Sequence, residues 1–145
     1  MSFREKTAWF TLITILMFFG AYYGFTLTGL VPGNSWAAFH LFAVCMAGLV
    51  VAQLALNLVA ASLSPKDART PRDEREQTIH ARSHILGYYV LMIGTAITLV
   101  STHIPSHGDN HVDIIIRTVN FGVLSILTAA ASVAIAQIVM YRRGA

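Results

Sequence analysis

Apolar residues in this chain fall into four long continuous runs, from Ala8 to Leu30, Trp36 to Leu63, Ile85 to Ile104 and Ile114 to Tyr141. Each run reaches the roughly 20 residues with which an α-helix crosses about 30 Å of hydrocarbon. Helix is predicted rather than strand because the runs are continuous instead of alternating, and because an open sheet would leave backbone groups unsatisfied in lipid. The expected fold class is therefore all-α: a polytopic membrane protein with four transmembrane helices, forming one domain over residues 1–145 with a polar loop at 64–84.

The polar segments between the runs give that domain a direction. Arg4 and Lys6 precede the first run, Lys66, Arg69, Arg72, Arg75 and Arg82 lie between the second and third, and Arg142 and Arg143 follow the fourth. These are nine of the ten basic residues, and the short connections around Pro32 and Pro105 hold none. The positive-inside rule then places both termini and the central loop in the cytoplasm. Trp9, Tyr88, Tyr89 and Tyr141 fall near the inner boundary, and Tyr22, Tyr23 and Trp36 toward the outer one, as an interfacial aromatic belt requires. The first run is longer than a signal-peptide core and is not followed by a small-residue cleavage site, so it is expected to remain as an anchor.

Composition narrows the picture further. With 55% hydrophobic and 12% charged residues among 145, too little chain remains outside the spans for a separate soluble domain. The formal charge of +3 comes from arginines interleaved with acids beside an expected anionic leaflet, which argues against a nucleic-acid partner. Cys45 is the only cysteine, so no intramolecular disulfide can form.

The central loop carries its own helix signals. Thr70 is the expected N-cap, Pro71 the first helical residue, and Asp73 and Glu74 carboxylates in the first turn facing the positive end of the dipole. One continuous helix is predicted from about Pro71 through the third span, with Arg72 and Glu76 as an exposed i,i+4 pair. The run from Pro71 to Ile79, followed by Arg82 and by Gly87-Tyr88-Tyr89-Val90-Leu91, resembles the pattern D-E-R-x-x-x-I and G-Y-Y-V-L of a family of small bacterial four-span inner-membrane proteins of unknown function. The opening Met1 to Trp9 and the closing Tyr141 to Gly144 are similar to that family's two ends. The resemblance implies a bacterial inner-membrane location and no particular activity.

Candidate chemistry lies mainly in histidines. His103, His107 and His111 sit with Asp109 and Asp113 within eleven residues at the expected outer face. Imidazole and carboxylate suit zinc, nickel or copper(II), while a solvated polar loop and a pH response of the same rings are the other readings. Glu76, His80 and His84 at i, i+4 and i+8 form a second set, although one straight helix rarely supplies three ligands to one ion. His40 and His103 lie at similar depth in the second and third spans, and together could ligate haem b or bind a quinone head. Arg117 has Asp113 as an i,i+4 partner. Gln53, Asn57, Asn120 and Gln137 are expected to hydrogen-bond between helices.

Packing cues follow the same logic. Gly20/Gly24, Ala43/Ala47, Gly87/Gly94 and Ser125/Ala129 are small-residue pairs that permit close helix approach, expected inside the bundle, with a homodimer as the alternative use of Gly20/Gly24. Val51-Ala52-Gln53-Leu54 and Ile135-Ala136-Gln137-Ile138 hint at a duplicated helical hairpin. No nucleophile with a base and an orienting group is visible, and the first span lacks the acidic residue on which small four-span multidrug exporters rely. The expected role is thus that of a non-enzymatic accessory or regulatory protein without a resident cofactor. Asp73, Glu74, Arg75, Ile79 and Arg82 are the candidate contacts to a cytoplasmic or membrane protein partner, a homo-oligomer being possible as well.

Overall fold

A computed structural model describes residues 3–32, 36–63, 73–103 and 111–143. Within them the chain forms four α-helices and no strand: α1 (Phe3–Leu27), α2 (Trp36–Leu63), α3 (Glu74–His103) and α4 (His111–Arg143). All four are long and apolar enough to cross a membrane. Spans of 25 to 33 residues correspond to about 37 to 50 Å of helix. The first helix stops three residues short of the apolar run that suggested it, because Gly29 adopts a left-handed backbone (φ 73°). Its N–H then reaches back to the Thr26 carbonyl at 3.3 Å, closing a helix end as glycine commonly does.

The helices pack in an open row, α2 against α1, α1 against α4, and α4 against α3, and among the described residues no other pair is in more than marginal contact. Neighbours run antiparallel, and the two inner members, α1 and α4, are not adjacent in sequence. Burial in this bundle is inverted relative to a water-soluble core. Thr14, Ser83, Thr98 and Ser125 are buried among alanines and a few larger residues, whereas Leu16 (62% exposed), Val44 (67%), Leu58 (72%) and Ile93 (62%) point outward. A cluster of larger buried side chains joins Ile15, Phe19 and Tyr22 of α1 to Cys45 of α2 and Leu127 of α4. Phe42 caps it with edge-to-face ring contacts to Phe19 and Tyr22 at 6.3 and 5.7 Å, geometry that aromatic quadrupoles favour.

Each packed pair also has its own hydrogen bonds. Gln53 Nε2 on α2 donates to Thr14 Oγ1 on α1 at 2.7 Å, and Thr11 Oγ1 donates to Gln53 Oε1 at 3.4 Å. Tyr22 OH donates to Asn120 Oδ1 at 2.7 Å, and Tyr23 OH to the Asn120 carbonyl at 3.0 Å, tying α1 to α4. Gln137 Nε2 donates to Ser83 Oγ at 3.2 Å, and Thr98 and Ser125 hydroxyls meet at 3.3 Å, tying α3 to α4. Three of the four polar residues expected to bridge helices do so. Asn57 instead lies on the exposed side of α2.

Small residues sort into two groups. Gly87 and Gly94 of α3 face α4 so closely that a Cβ at the first would collide with the Val133 side chain, and at the second with Ser125. Gly20 and Gly24, expected inside the bundle, instead face open space, where an added Cβ meets nothing. Ala43 and Ala47 are exposed too. The hinted duplication has only a local counterpart: Gln53 and Gln137 each bond a hydroxyl on the preceding helix, yet α1 lies inside the row and α3 at its edge.

The two groups of glycines should respond oppositely to alanine. Gly87→Ala or Gly94→Ala should destabilise the detergent-solubilised protein by about 1–3 kcal/mol through overpacking. Gly20→Ala and Gly24→Ala should be neutral, or stabilising by up to about 1 kcal/mol from helix propensity. Equilibrium unfolding of the four variants checks this, and equal losses from all four would refute the assigned packing.

Candidate functional site

Polar chemistry concentrates at the end of the bundle where α1 and α3 begin and α4 ends. The start of α3 is built by a reciprocal cap. Gln77 N–H donates to the Asp73 carbonyl at 2.9 Å, and Glu74 N–H to Asp73 Oδ1 at 2.8 Å. Asp73 N–H in turn donates to Glu76 Oε2 at 3.4 Å. Asp73 is therefore the N-cap and Glu76 the residue three positions on that reaches back, satisfying donors that a helix start leaves without partners. The expected cap at Thr70, first turn at Pro71 and pairing of Arg72 with Glu76 involve residues outside those described. Within the described residues the helix begins at Glu74, and Glu76 pairs with Arg4 of α1.

That ion pair joins the first helix to the third across the row. Arg142, near the end of α4, completes the link: its Nε lies 3.6 Å from Glu5 Oε1, and its guanidinium sits 5.3 Å above the Trp9 ring. Cation and ring at that separation attract electrostatically. From sequence Arg4 is expected only as an orienting charge and Trp9 only as a boundary aromatic, since neither carries a signal of which helix it will meet, and Glu5 gives no signal at all.

The candidate partner residues divide by exposure. Asp73, Glu74, Arg75 and Arg82 are exposed. Ile79 is only 2% exposed and lies on the packed face with Ser83 and Gly87, so it anchors α3 rather than offering itself to a partner. Much of the D-E-R-x-x-x-I and G-Y-Y-V-L pattern thus has a local structural explanation: a cap at Asp73, a buried anchor at Ile79 and a close approach at Gly87.

The histidine sets are also separated by the fold. His40 Nδ1 lies 2.7 Å from the Trp36 carbonyl, and His103 Nδ1 lies 2.9 Å from the Leu99 carbonyl and 3.0 Å from Thr102 Oγ1. A carbonyl only accepts, so each ring donates through Nδ1 within its own helix. Both residues are exposed, and their helices, α2 and α3, occupy opposite ends of the row. The structure therefore does not bring the proposed haem or quinone pair together. His107 and Asp109 fall outside the described residues, as does the side chain of His111. Among the described residues, no group of three or more His, Cys, Asp or Glu converges as a metal set.

Toward the opposite end of the bundle, a cavity of about 250 Å³ is walled by Tyr22, Phe39, Phe42, Val119 and Asn120, among others. Asn120 Nδ2 donates to the Ile116 carbonyl at 2.9 Å, and its Oδ1 accepts from Tyr22. The polar atoms at the wall are consequently satisfied, and the remaining surface is apolar. Compared with protein-family models, curated proteins and solved structures, the chain has no match. The family resemblance therefore stands on its motif residues alone.

The cap is directly testable. Asp73→Ala should weaken the start of α3 by about 1 kcal/mol and accelerate amide exchange from Glu74 to Gln77 while leaving Gly87 to Thr98 protected. Unchanged exchange in the first turn would show that Asp73 does not cap it.

Proposed function

We propose that this chain is a multi-pass protein of the bacterial inner membrane, with both termini in the cytoplasm. It would act as a non-enzymatic accessory or regulatory protein through the exposed face of the first turns of α3. Insertion is supported by the inverted burial, in which large apolar side chains such as Leu16 and Leu58 face outward and the Thr14, Ser83, Thr98 and Ser125 hydroxyls face inward. Such a surface suits lipid, where helices associate through close packing and polar contacts. Orientation rests on the basic residues of the two termini and the central loop, and on the ion pairs that gather Arg4, Glu76, Glu5 and Arg142 at one end.

The observation carrying the functional reading is the helical extension of α3 beyond its apolar run. About 16 Å of helix at 1.5 Å per residue separates Glu74 from Ile85. The extension is held by the Asp73–Glu76 cap, the Arg4 ion pair and burial of Ile79 and Ser83. Glu74, Arg75, Thr78 and Arg82 remain exposed, presenting both signs of charge to a protein partner of complementary pattern. Preorganisation reduces the ordering cost of binding. The resemblance to small four-span inner-membrane proteins agrees with this location without adding an activity.

Reporters inserted near Gly33 or Gly108 should be active outside the cytoplasm, and a reporter after Ala145 inside it; periplasmic activity of the C-terminal fusion would overturn the orientation. For the partner surface, a photocrosslinking amino acid at Thr78 or Arg82 in intact cells should give the same protein adduct from both sites. Substitution at Ile93, on the outward apolar face, should not give that adduct. Absence of any protein adduct from Thr78 and Arg82 would remove the partner reading.

A further inference from the structure

His80 and His84 occupy successive turns of α3, with ring centroids 4.2 Å apart and ring planes at 84°. His80 is half-buried and His84 exposed, so the pair lies at the edge of the face that packs Ile79, Ser83 and Gly87. We propose that His80 and His84 together chelate a divalent late transition-metal ion, with zinc(II) as the expected occupant and water completing its shell. This inference does not rest on the partner-binding reading.

The spacing supplies the first argument. Two histidines at i and i+4 share one helix face, the arrangement by which helical histidine pairs hold zinc. The two rings are already neighbours in edge-to-face contact, so side-chain rotation without backbone movement would turn one nitrogen of each toward a shared ion. Neutral imidazole suits zinc, copper and nickel, whereas magnesium and calcium prefer oxygen ligands. Position supplies the second argument: the pair precedes Ile85, where the long apolar run begins, and His84 is exposed, giving an ion access from water.

Glu76, one turn earlier, was the third member of the sequence-predicted set. Its carboxylate is instead committed to Arg4 and to the Asp73 N–H. That commitment leaves a two-histidine chelate rather than a three-ligand site, and it also neutralises the Arg4 charge near the expected cation. A zinc ion there would keep open coordination positions, since zinc ordinarily takes four ligands. Bridging successive turns, it would fasten the cytoplasmic extension of α3 just before the apolar run.

The test uses the full-length protein in detergent, purified without a histidine tag and titrated with zinc(II) by calorimetry. Copper(II) titration followed by electron paramagnetic resonance counts the coordinating nitrogens. His84→Ala changes an exposed residue and should retain the fold, as circular dichroism would confirm. It should weaken zinc binding by at least the roughly 10- to 100-fold that loss of a ligand's outer-shell support costs, and should remove one coordinating nitrogen. His80→Ala combined with His84→Ala should abolish the site, whereas replacing His103, His107 and His111 together should leave it intact. Unchanged affinity and nitrogen count in His84→Ala would overturn the proposal. So would loss of all zinc uptake in the triple variant, which would assign the metal to the connection between α3 and α4.

Discussion

With its apolar outer faces in lipid, as proposed, contacts between polar groups on facing helices set the arrangement of this bundle, because apolar surface then discriminates little between a neighbouring helix and lipid tails. Large side chains such as Leu16, Val44 and Leu58 point outward, so removal of apolar area from water cannot have selected which faces pair. The hydrogen bonds of Gln53 with Thr14, Tyr22 with Asn120, and Gln137 with Ser83 instead give each packed pair a defined register. Each is modest alone, about 0.6 kcal/mol on average between membrane helices. Distributed over three interfaces, they specify one arrangement among several that apolar packing would tolerate.

Close approach refines what the hydrogen bonds select. Along α3 and α4, Gly87 meets Val133 and Gly94 meets Ser125 with no room for a Cβ. This proximity also permits the Thr98–Ser125 contact at 3.3 Å. On the other side of α4, larger side chains do the packing, with Phe19, Tyr22 and Leu127 filling the space between α1, α2 and α4. Both outer helices present small residues to their neighbours, Gly87 and Gly94 on α3 and Gly48 against the Phe18 ring on α2, and α2 is held in addition by Phe42 ring contacts and Gln53.

At the charged end, one carboxylate has two structural tasks. Glu76 closes the cap of its own helix and pairs with Arg4 on another, so the beginning of α3 and the beginning of α1 are secured together. Arg142 brings the end of α4 to the same place through Glu5 and Trp9. The extension of α3, which carries the His80–His84 pair and exposed charges, is thereby tied to the beginning of α1.

Sequence alone determined the four helices, because long continuous apolar runs admit few other local structures, and it indicated that Gln53, Asn120 and Gln137 would bridge helices. It also marked the start of α3 in the right region: Asp73 caps the described helix, and Thr70 lies outside the described residues. Which helices became neighbours was decided only in three dimensions. Gly20/Gly24 and Gly87/Gly94 present similar small-residue signals, yet only the latter met a partner, because a small residue permits an approach without specifying what approaches. The same limit governed the candidate sites. His40 and His103 match in depth but lie on helices at opposite ends of the row, and Glu76 lies on a face with His80 and His84 but turns to Arg4. Spacing along one helix is set by backbone geometry and can be read directly; contact between helices depends on a global packing choice that no local pattern encodes.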